Sequence, residues 1–553
     1  MSIYSKKLKA GLTAAALLTA IGTPRLNAEL HQQKPSPIKH VLLISIDGMH
    51  SLDFTNCANG ISTVNGGSPY CPNLAALTKT GVNYLQAQTT RPSDSFPGLT
   101  AQITGGTTRS AGMFYDVNYD RSLSPPAQTT PYGIIGGPAL CPSVVGTQVG
   151  FDEEIDVDLT RIDGGGGIDV NYLPRDPKNN CAPVFPHNYI RTNTIFEVVR
   201  AAGGYTAWTD KHPAYEFTGG PSGYGVDDFF GPEINSNIAP LTEPGYNVPQ
   251  CHTLPDPGAG GDWTSSFQNI QCYDDLHIQA VLNQIDGRTH DGSQRAPVPA
   301  VFGANFQAVS IGQKLVEKSI NTTGGYLDAL GTPSPELLGE IQYVDNAIGQ
   351  FVNELQKQGL SNSTLIIVSA KHGQSPIDPN RVLRIPADNP LDQPPSQIIS
   401  PSGVGPGLPV AQASEDDVSL LWLTDQTQTT ADVTLLAANE NLFGQGEIFA
   451  GPSLKLIFND PLVDSRVPDI VVAPNVGVIY TGGTKKVSEH GGFAEDDRHV
   501  MLVVSNPGLA PRTVTEPVFT TQVAPTILKA LGLNPNSLQA VQQEGTQPLP
   551  LLP

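Results

Sequence analysis

The run His40-Val-Leu-Leu-Ile-Ser-Ile, closed by Asp47, constrains what this chain can fold into more than any other segment. It is apolar almost throughout and does not alternate, so it predicts a strand buried on both faces of a parallel sheet, and it is far too short to cross a membrane. Its carboxylate falls at the C-terminal end, where open α/β sheets place ligands. Further on, Ser95 stands just before a predicted helix over 96–103. The first turn of such a helix offers unpaired N–H groups and the positive end of the dipole to an anion. A hydroxyl there can handle phosphate if a cation lowers its pKa, and Asp47 is a candidate to hold that cation. The same residues also read as an ordinary helix cap and a strand-end carboxylate.

Strand and helix signals alternate at both ends of the chain. Strands are predicted over 41–46, 300–306, 364–369 and 500–504, and helices over 72–80, 194–202, 335–358 and 522–531. In the helix over 335–358, Leu338, Ile341, Val344, Ile348, Phe351 and Leu355 recur at three- and four-residue steps, so one face packs on a sheet. This rhythm predicts an α/β fold with a doubly wound, largely parallel sheet flanked by helices. Residues 115–275, rich in Gly, Pro and Asp, read as a loop-rich cap inserted over the sheet's C-terminal edge; 376–409 reads as an irregular surface patch and 535–553 as a C-terminal tail. The acidic stretch with Asp156, Asp158 and Asp163 lacks the closing glutamate of a twelve-residue calcium loop and reads as a solvated loop.

With 31 Lys and Arg against 52 Asp and Glu, a formal charge of −21, the chain excludes a nucleic-acid-binding surface. An anionic substrate must therefore be handled locally. Lys6, Lys7 and Lys9 ahead of the apolar stretch 10–21 read as a secretory signal over 1–28, and no later segment has transmembrane length, so a secreted or periplasmic location is expected. The six cysteines suit an oxidising compartment. Proximity favours the pairs Cys57–Cys71, Cys141–Cys181 and Cys251–Cys272 among fifteen pairings. Asn321 and Asn362 head sequons that accept glycans in a eukaryotic host.

Two further strand-associated sites join Asp47 and Ser95. Lys371-His372-Gly373 follows the strand over 364–369, and His490-Gly491 precedes the strand over 500–504. In this order the set resembles the type I phosphodiesterase/nucleotide pyrophosphatase family of the alkaline phosphatase superfamily. Ile44-Ser45-Ile46-Asp47-Gly48 matches the family's metal-carboxylate strand end, and Pro92 to Pro97 matches P-[ST]-x-[ST]-F-P. Thr104-Gly105, then Gly112 to Asp120, Ser369 to Gly373, and His490-Gly491 match later elements, so the resemblance covers most of 38–534, the expected catalytic domain.

The resemblance implies an alkaline-phosphatase-like fold and an exported, metal-dependent hydrolase of small phosphate esters acting through a phosphoseryl intermediate on Ser95; charge favours diesters over monoesters, since one metal fewer balances a dianion less well. Asp47, Ser95, His372 and His490 are its implied metal ligands, with zinc the expected ion and calcium the alternative. Departures accompany it. Lys371 stands where the family has a metal-binding aspartate, Asp116 where it has a phosphoryl-binding asparagine, and the best match to its D-x-x-G-H element, Val309 to Gln313, carries neither ligand. One ion is therefore expected rather than two, with Lys371 supplying charge in place of the other, and Lys211 or Lys371 binding phosphoryl oxygens. His50, Asp210 and His212 are candidate extra ligands. A sulfatase or phosphonate hydrolase is the rival enzyme, although no Cys-x-Pro-x-Arg element is present. The lost ligands also allow a non-catalytic binding protein on the same scaffold.

Overall fold

A computed structural model describes residues 38–130, 133–137, 141, 146–151, 155–236 and 263–552. The chain divides into residues 1–35, which lie outside the described residues and include the whole of the expected secretory signal, and a unit spanning 36–553.

That unit is built on an eight-stranded sheet whose order is Arg512–Val514, Gly81–Tyr84, Leu502–Ser505, Thr364–Ser369, His40–Ile46, Val301–Phe306, Ala207–Thr209, Asp228–Phe230. Leu502–Ser505 runs antiparallel to both neighbours and the other pairings are parallel. This is the expected largely parallel sheet. His40–Ile46 lies at its centre, and its side chains serve two cores in alternation: Leu42, Ile44 and Ile46 one, Val41 and Leu43 the other. Helix Pro335–Lys357, capped by Ser334, buries Ile341, Val344, Ile348, Phe351 and Leu355 in the first core.

Three regions differ from the sequence reading. The span 115–275 is not all cap: besides the expected helix, seen at Ile195–Ala201, it contributes two strands of the central sheet and helix Phe267–Ile285, whose Ile270, Leu276 and Val281 enter the core. The strand-like stretch 205–208 forms strand Ala207–Thr209, whereas the three-residue strand Asp228–Phe230 carries too little periodicity to stand out among Gly and Pro. A second, four-stranded antiparallel sheet, Val410–Glu415, Ser419–Leu423, Ile470–Pro474 and Gln445–Ala450, was not foreseen; it has its own core around Leu421, Leu436 and Ile470. The tail over 535–553 is anchored, with Leu538, Val541 and Leu549 buried in the second main core.

Disulfides Cys57–Cys71 and Cys141–Cys181 are present as expected. Cys272 is also disulfide-bonded, and Cys251 lies outside the described residues. No helix among the described residues is long and apolar enough to cross a membrane.

The helix Ser95–Thr104 is held to the end of strand Thr364–Ser369 by Gln102, which donates to the Ala370 carbonyl at 2.9 Å. Gly98 permits this approach: a Cβ there would sit 2.1 Å from the Lys371 carbonyl oxygen. Gly98→Ala is therefore expected to destabilise the protein by about 1–3 kcal/mol through overpacking. Urea unfolding checks this, and an unchanged midpoint would contradict the packing described.

Candidate active site

Four neighbouring parallel strands deliver side chains to one point at their C-terminal ends. Asp47 follows His40–Ile46, Lys371 and His372 follow Thr364–Ser369, Gln307 follows Val301–Phe306, and Asp210 and Lys211 follow Ala207–Thr209. Ser95 opens its helix over the same edge, where Asp94 caps the first turn by accepting from Phe96 N at 3.0 Å. The central backbone is tied across the strands: Asp47 N donates to Phe306 O at 3.0 Å and Gly48 N to His372 O at 3.1 Å.

Asp47 is the hub. Its Oδ2 accepts from Gln307 Nε2 at 2.7 Å, Asn305 Nδ2 at 3.3 Å and Ser95 Oγ at 3.4 Å, with His372 Nε2 at 3.5 Å and Lys371 Nζ at 4.0 Å. Burial pushes this carboxyl up, but Lys371, then His372 and Lys211, outweigh it and hold the group well below the usual carboxylate range. Lys211 Nζ donates to Ser95 Oγ at 3.1 Å. Burial lowers the Lys211 ammonium, yet Asp47, Asp94 and Asp210 together raise it. Ser95 thus lies between a fixed cation and a fixed carboxylate, at a helix N-terminus.

Lys371 is fully buried, 2.8 Å from Asp210 Oδ1 and 4.3 Å above the Tyr215 ring. Burial is the largest influence on both partners, pulling the lysine down and the aspartate up, while their mutual attraction opposes it. Asp210, weighed as a metal ligand, is instead the counter-ion of Lys371.

His50 is likewise engaged elsewhere, with Nδ1 2.8 Å from Asp53 and Nε2 accepting from Gln374 N at 2.9 Å. His212 faces Glu233 at 2.9 Å. Asp116 accepts from Val117 N at 2.7 Å and reaches the site through its charge on Lys211. In the acidic loop, Asp158 caps Thr160 and Asp163 pairs with Arg161, so these carboxylates are satisfied locally.

Among the described residues, no three His, Cys, Asp or Glu side chains converge as a metal-holding group. A set that includes a serine does suit one ion. Asp47 Oδ2 lies 3.4 Å from Ser95 Oγ and 3.5 Å from His372 Nε2, against an edge of about 3.4 Å for a tetrahedron with zinc bonds of about 2.1 Å. His372 Nε2 is buried without a hydrogen-bond partner, while Nδ1 is 2.8 Å from the Gly373 carbonyl, an arrangement that fixes a ligating tautomer. The His490 ring stands edge-on to His372 at 4.0 Å, and its Nδ1 is also unpartnered. Burial, then His372 and Lys314, hold His490 well below the ordinary histidine range, so it is neutral. Among the described residues a second ion has no comparable set, since the neighbouring strand ends present the amide of Gln307 and the ammonium of Lys371.

Gln307 and Asn305 were missed from the sequence. The signal was available in register, because Asn305 pairs with Ser45 and Gln307 follows its strand as Asp47 follows the central one. The Val309 to Gln313 match pointed past them; Gln313 instead donates to the Gly48 carbonyl at 2.8 Å.

The family model described as type I phosphodiesterase / nucleotide pyrophosphatase matches residues 41–133 and 317–496. These spans hold Asp47, Ser95, Asp116, Lys371, His372 and His490 but leave out Asp210, Lys211 and Gln307. Among solved structures, the chain is similar to murine ectonucleotide pyrophosphatase / phosphodiesterase 5, with 13% identity over 90% of this chain and 95% of that one and a TM-score of 0.50. The human counterpart is 12% identical over 90% and 95% of the two chains, with a TM-score of 0.47. No curated protein matches the chain.

Removing Lys371 would leave Asp210 buried without its cation. Lys371→Met is expected to cost about 3–5 kcal/mol, and Asp210→Asn in the same chain to restore a large part of it. Chemical denaturation of the single and double variants checks the coupling, and purely additive losses would contradict it.

Proposed function

Because this chain belongs to the type I phosphodiesterase/nucleotide pyrophosphatase family and is a phosphoric ester hydrolase, we propose that it is an exported enzyme that cleaves small phosphate esters at Ser95 through a phosphoseryl intermediate. The observation that carries this reading is the position of the Ser95 hydroxyl, 3.1 Å from Lys211 Nζ and 3.4 Å from Asp47 Oδ2 at a helix N-terminus.

Ser95 Oγ attacks phosphorus in line while its proton passes toward Asp47, the carboxylate it already faces; the ester P–O bond opposite breaks, and the departing alcohol oxygen takes up a proton from water. Lys211, donating to Oγ, stabilises the alkoxide character that grows on it. The phosphoryl oxygens then lie at the positive end of that helix, with Lys211 as a point charge beside them. Water releases the phosphoryl group from Ser95 in a second displacement. Lys371, held by Asp210 and the Tyr215 face, contributes positive charge behind Asp47 and adds none of the carboxylate repulsion an aspartate would bring.

Asp47, Ser95 and His372, with His490 adjacent, would hold one divalent ion, and their nitrogen and oxygen donors favour zinc over calcium. Such an ion supplies Lewis-acid stabilisation of the attacking oxygen and the developing charge. With an ammonium and an amide in place of a second ion's ligands, total positive charge is lower, and monoanionic diesters are better balanced than dianionic monoesters. Export is supported by the basic and apolar start of the chain and by the disulfides.

Ser95→Ala is expected to abolish hydrolysis of a chromogenic phosphodiester, and Lys211→Ala to lower turnover by about a hundredfold. Acid-quenched wild type should carry phosphate on the peptide containing Ser95. Turnover that survives in Ser95→Ala would overturn the assignment.

A further inference from the structure

A cavity of about 310 Å³ opens where the segment leading into Ser95 meets the start of the C-terminal helix, and two guanidinium groups line it. Arg498 is only 8% exposed; its Nη2 donates to the Thr89 carbonyl at 3.2 Å, and its Nε is buried with no hydrogen-bond partner. Arg91 lines the same space, held over the Phe493 ring at 5.8 Å. Neither arginine has a carboxylate within ion-pair distance among the described residues. Of the two acids acting on Arg498, Glu495 is 61% exposed and lies 3.3 Å from His499, and Asp497 has the smaller influence. Burial and then Arg91 lower the Arg498 guanidinium to about 10, and the opposing charges of Glu495 and Asp497 do not make this up. Thr108, 2% exposed, adds a hydroxyl that is also unpartnered.

The buried, unpaired Nε of Arg498 is costly, and the exposed Arg91 brings a second positive charge to the same space. An anion in the cavity resolves both. We propose that this cavity binds a dianionic phosphate group, free or esterified to a small organic body. Two guanidiniums match two negative charges, since arginine forks pair well with phosphate oxygens. Ile457 and Phe519 line the rest of the cavity with apolar surface that suits an organic substituent. None of Ser95, Lys211, Lys371 or Asp47 lines it, so the site is distinct from the candidate active site. It nevertheless touches the same scaffold, because Thr89 donates to the Lys371 carbonyl at 2.6 Å.

The test is calorimetric titration of inorganic phosphate and phenyl phosphate into the full chain carrying Ser95→Ala, and into the same chain with Arg498→Gln, Thr108→Val or Lys211→Ala added. Arg498→Gln should weaken one phosphate site by about ten- to hundredfold, Thr108→Val should weaken that same site less, and Lys211→Ala should leave it intact. Tighter binding of phenyl phosphate than of inorganic phosphate assigns the cavity to an ester, and equal binding assigns it to the free ion. If Arg498→Gln does not fold, Thr108→Val and Arg91→Gln carry the test. Phosphate binding that is lost only in Lys211→Ala, or no binding at all, overturns the proposal. Because inorganic phosphate is not turned over, the result stands whether or not Ser95 is the nucleophile.

Discussion

A single carboxylate, fully buried at the end of the central strand, organises this protein. Asp47 could not stay ionised there alone, since moving an unpaired carboxylate out of water costs several kcal/mol. The fold answers with donors and cations from every neighbouring strand end: Gln307 and Asn305 from one side, His372 and Lys371 from the other, and Ser95 from above. The parallel order of the sheet makes this possible, because it turns all four strand ends to one edge.

The way Lys371 is held explains how the site departs from its family. An ammonium placed where a metal-binding carboxylate is expected would repel an ion unless its charge were absorbed. Asp210 absorbs it at 2.8 Å and Tyr215 covers it. Gln307 completes the change by filling the adjacent strand end with a neutral donor. On the proposed reading, these donors would hold one ion, and fixed charge from protein side chains would stand in place of another.

Much of this was legible in the chain. The unbroken apolar run into Asp47, the Pro92 to Pro97 segment and the Lys371-His372 step each sit on a long element whose pattern is strong, and the structure brings them together. The second sheet and the strand at Asp228–Phe230 were not legible, because three- to six-residue strands in Gly- and Pro-rich surroundings gain their stability from neighbours distant in sequence. Gln307 was missed for a different reason: an amide carries no chemical signature until the register shows which carboxylate it faces. His50 misled in the opposite direction, since its nearness to Asp47 in sequence hid its true partners, Asp53 and Gln374.

The central claim is that Asp47 anchors one ion and that Lys371 takes the place of a second. Metal content of the purified full chain, measured by inductively coupled plasma mass spectrometry beside Asp47→Ala, tests it most directly. One equivalent of zinc in the wild type, lost in a folded Asp47→Ala, is the predicted result. Two equivalents, none, or one that survives in Asp47→Ala would contradict it.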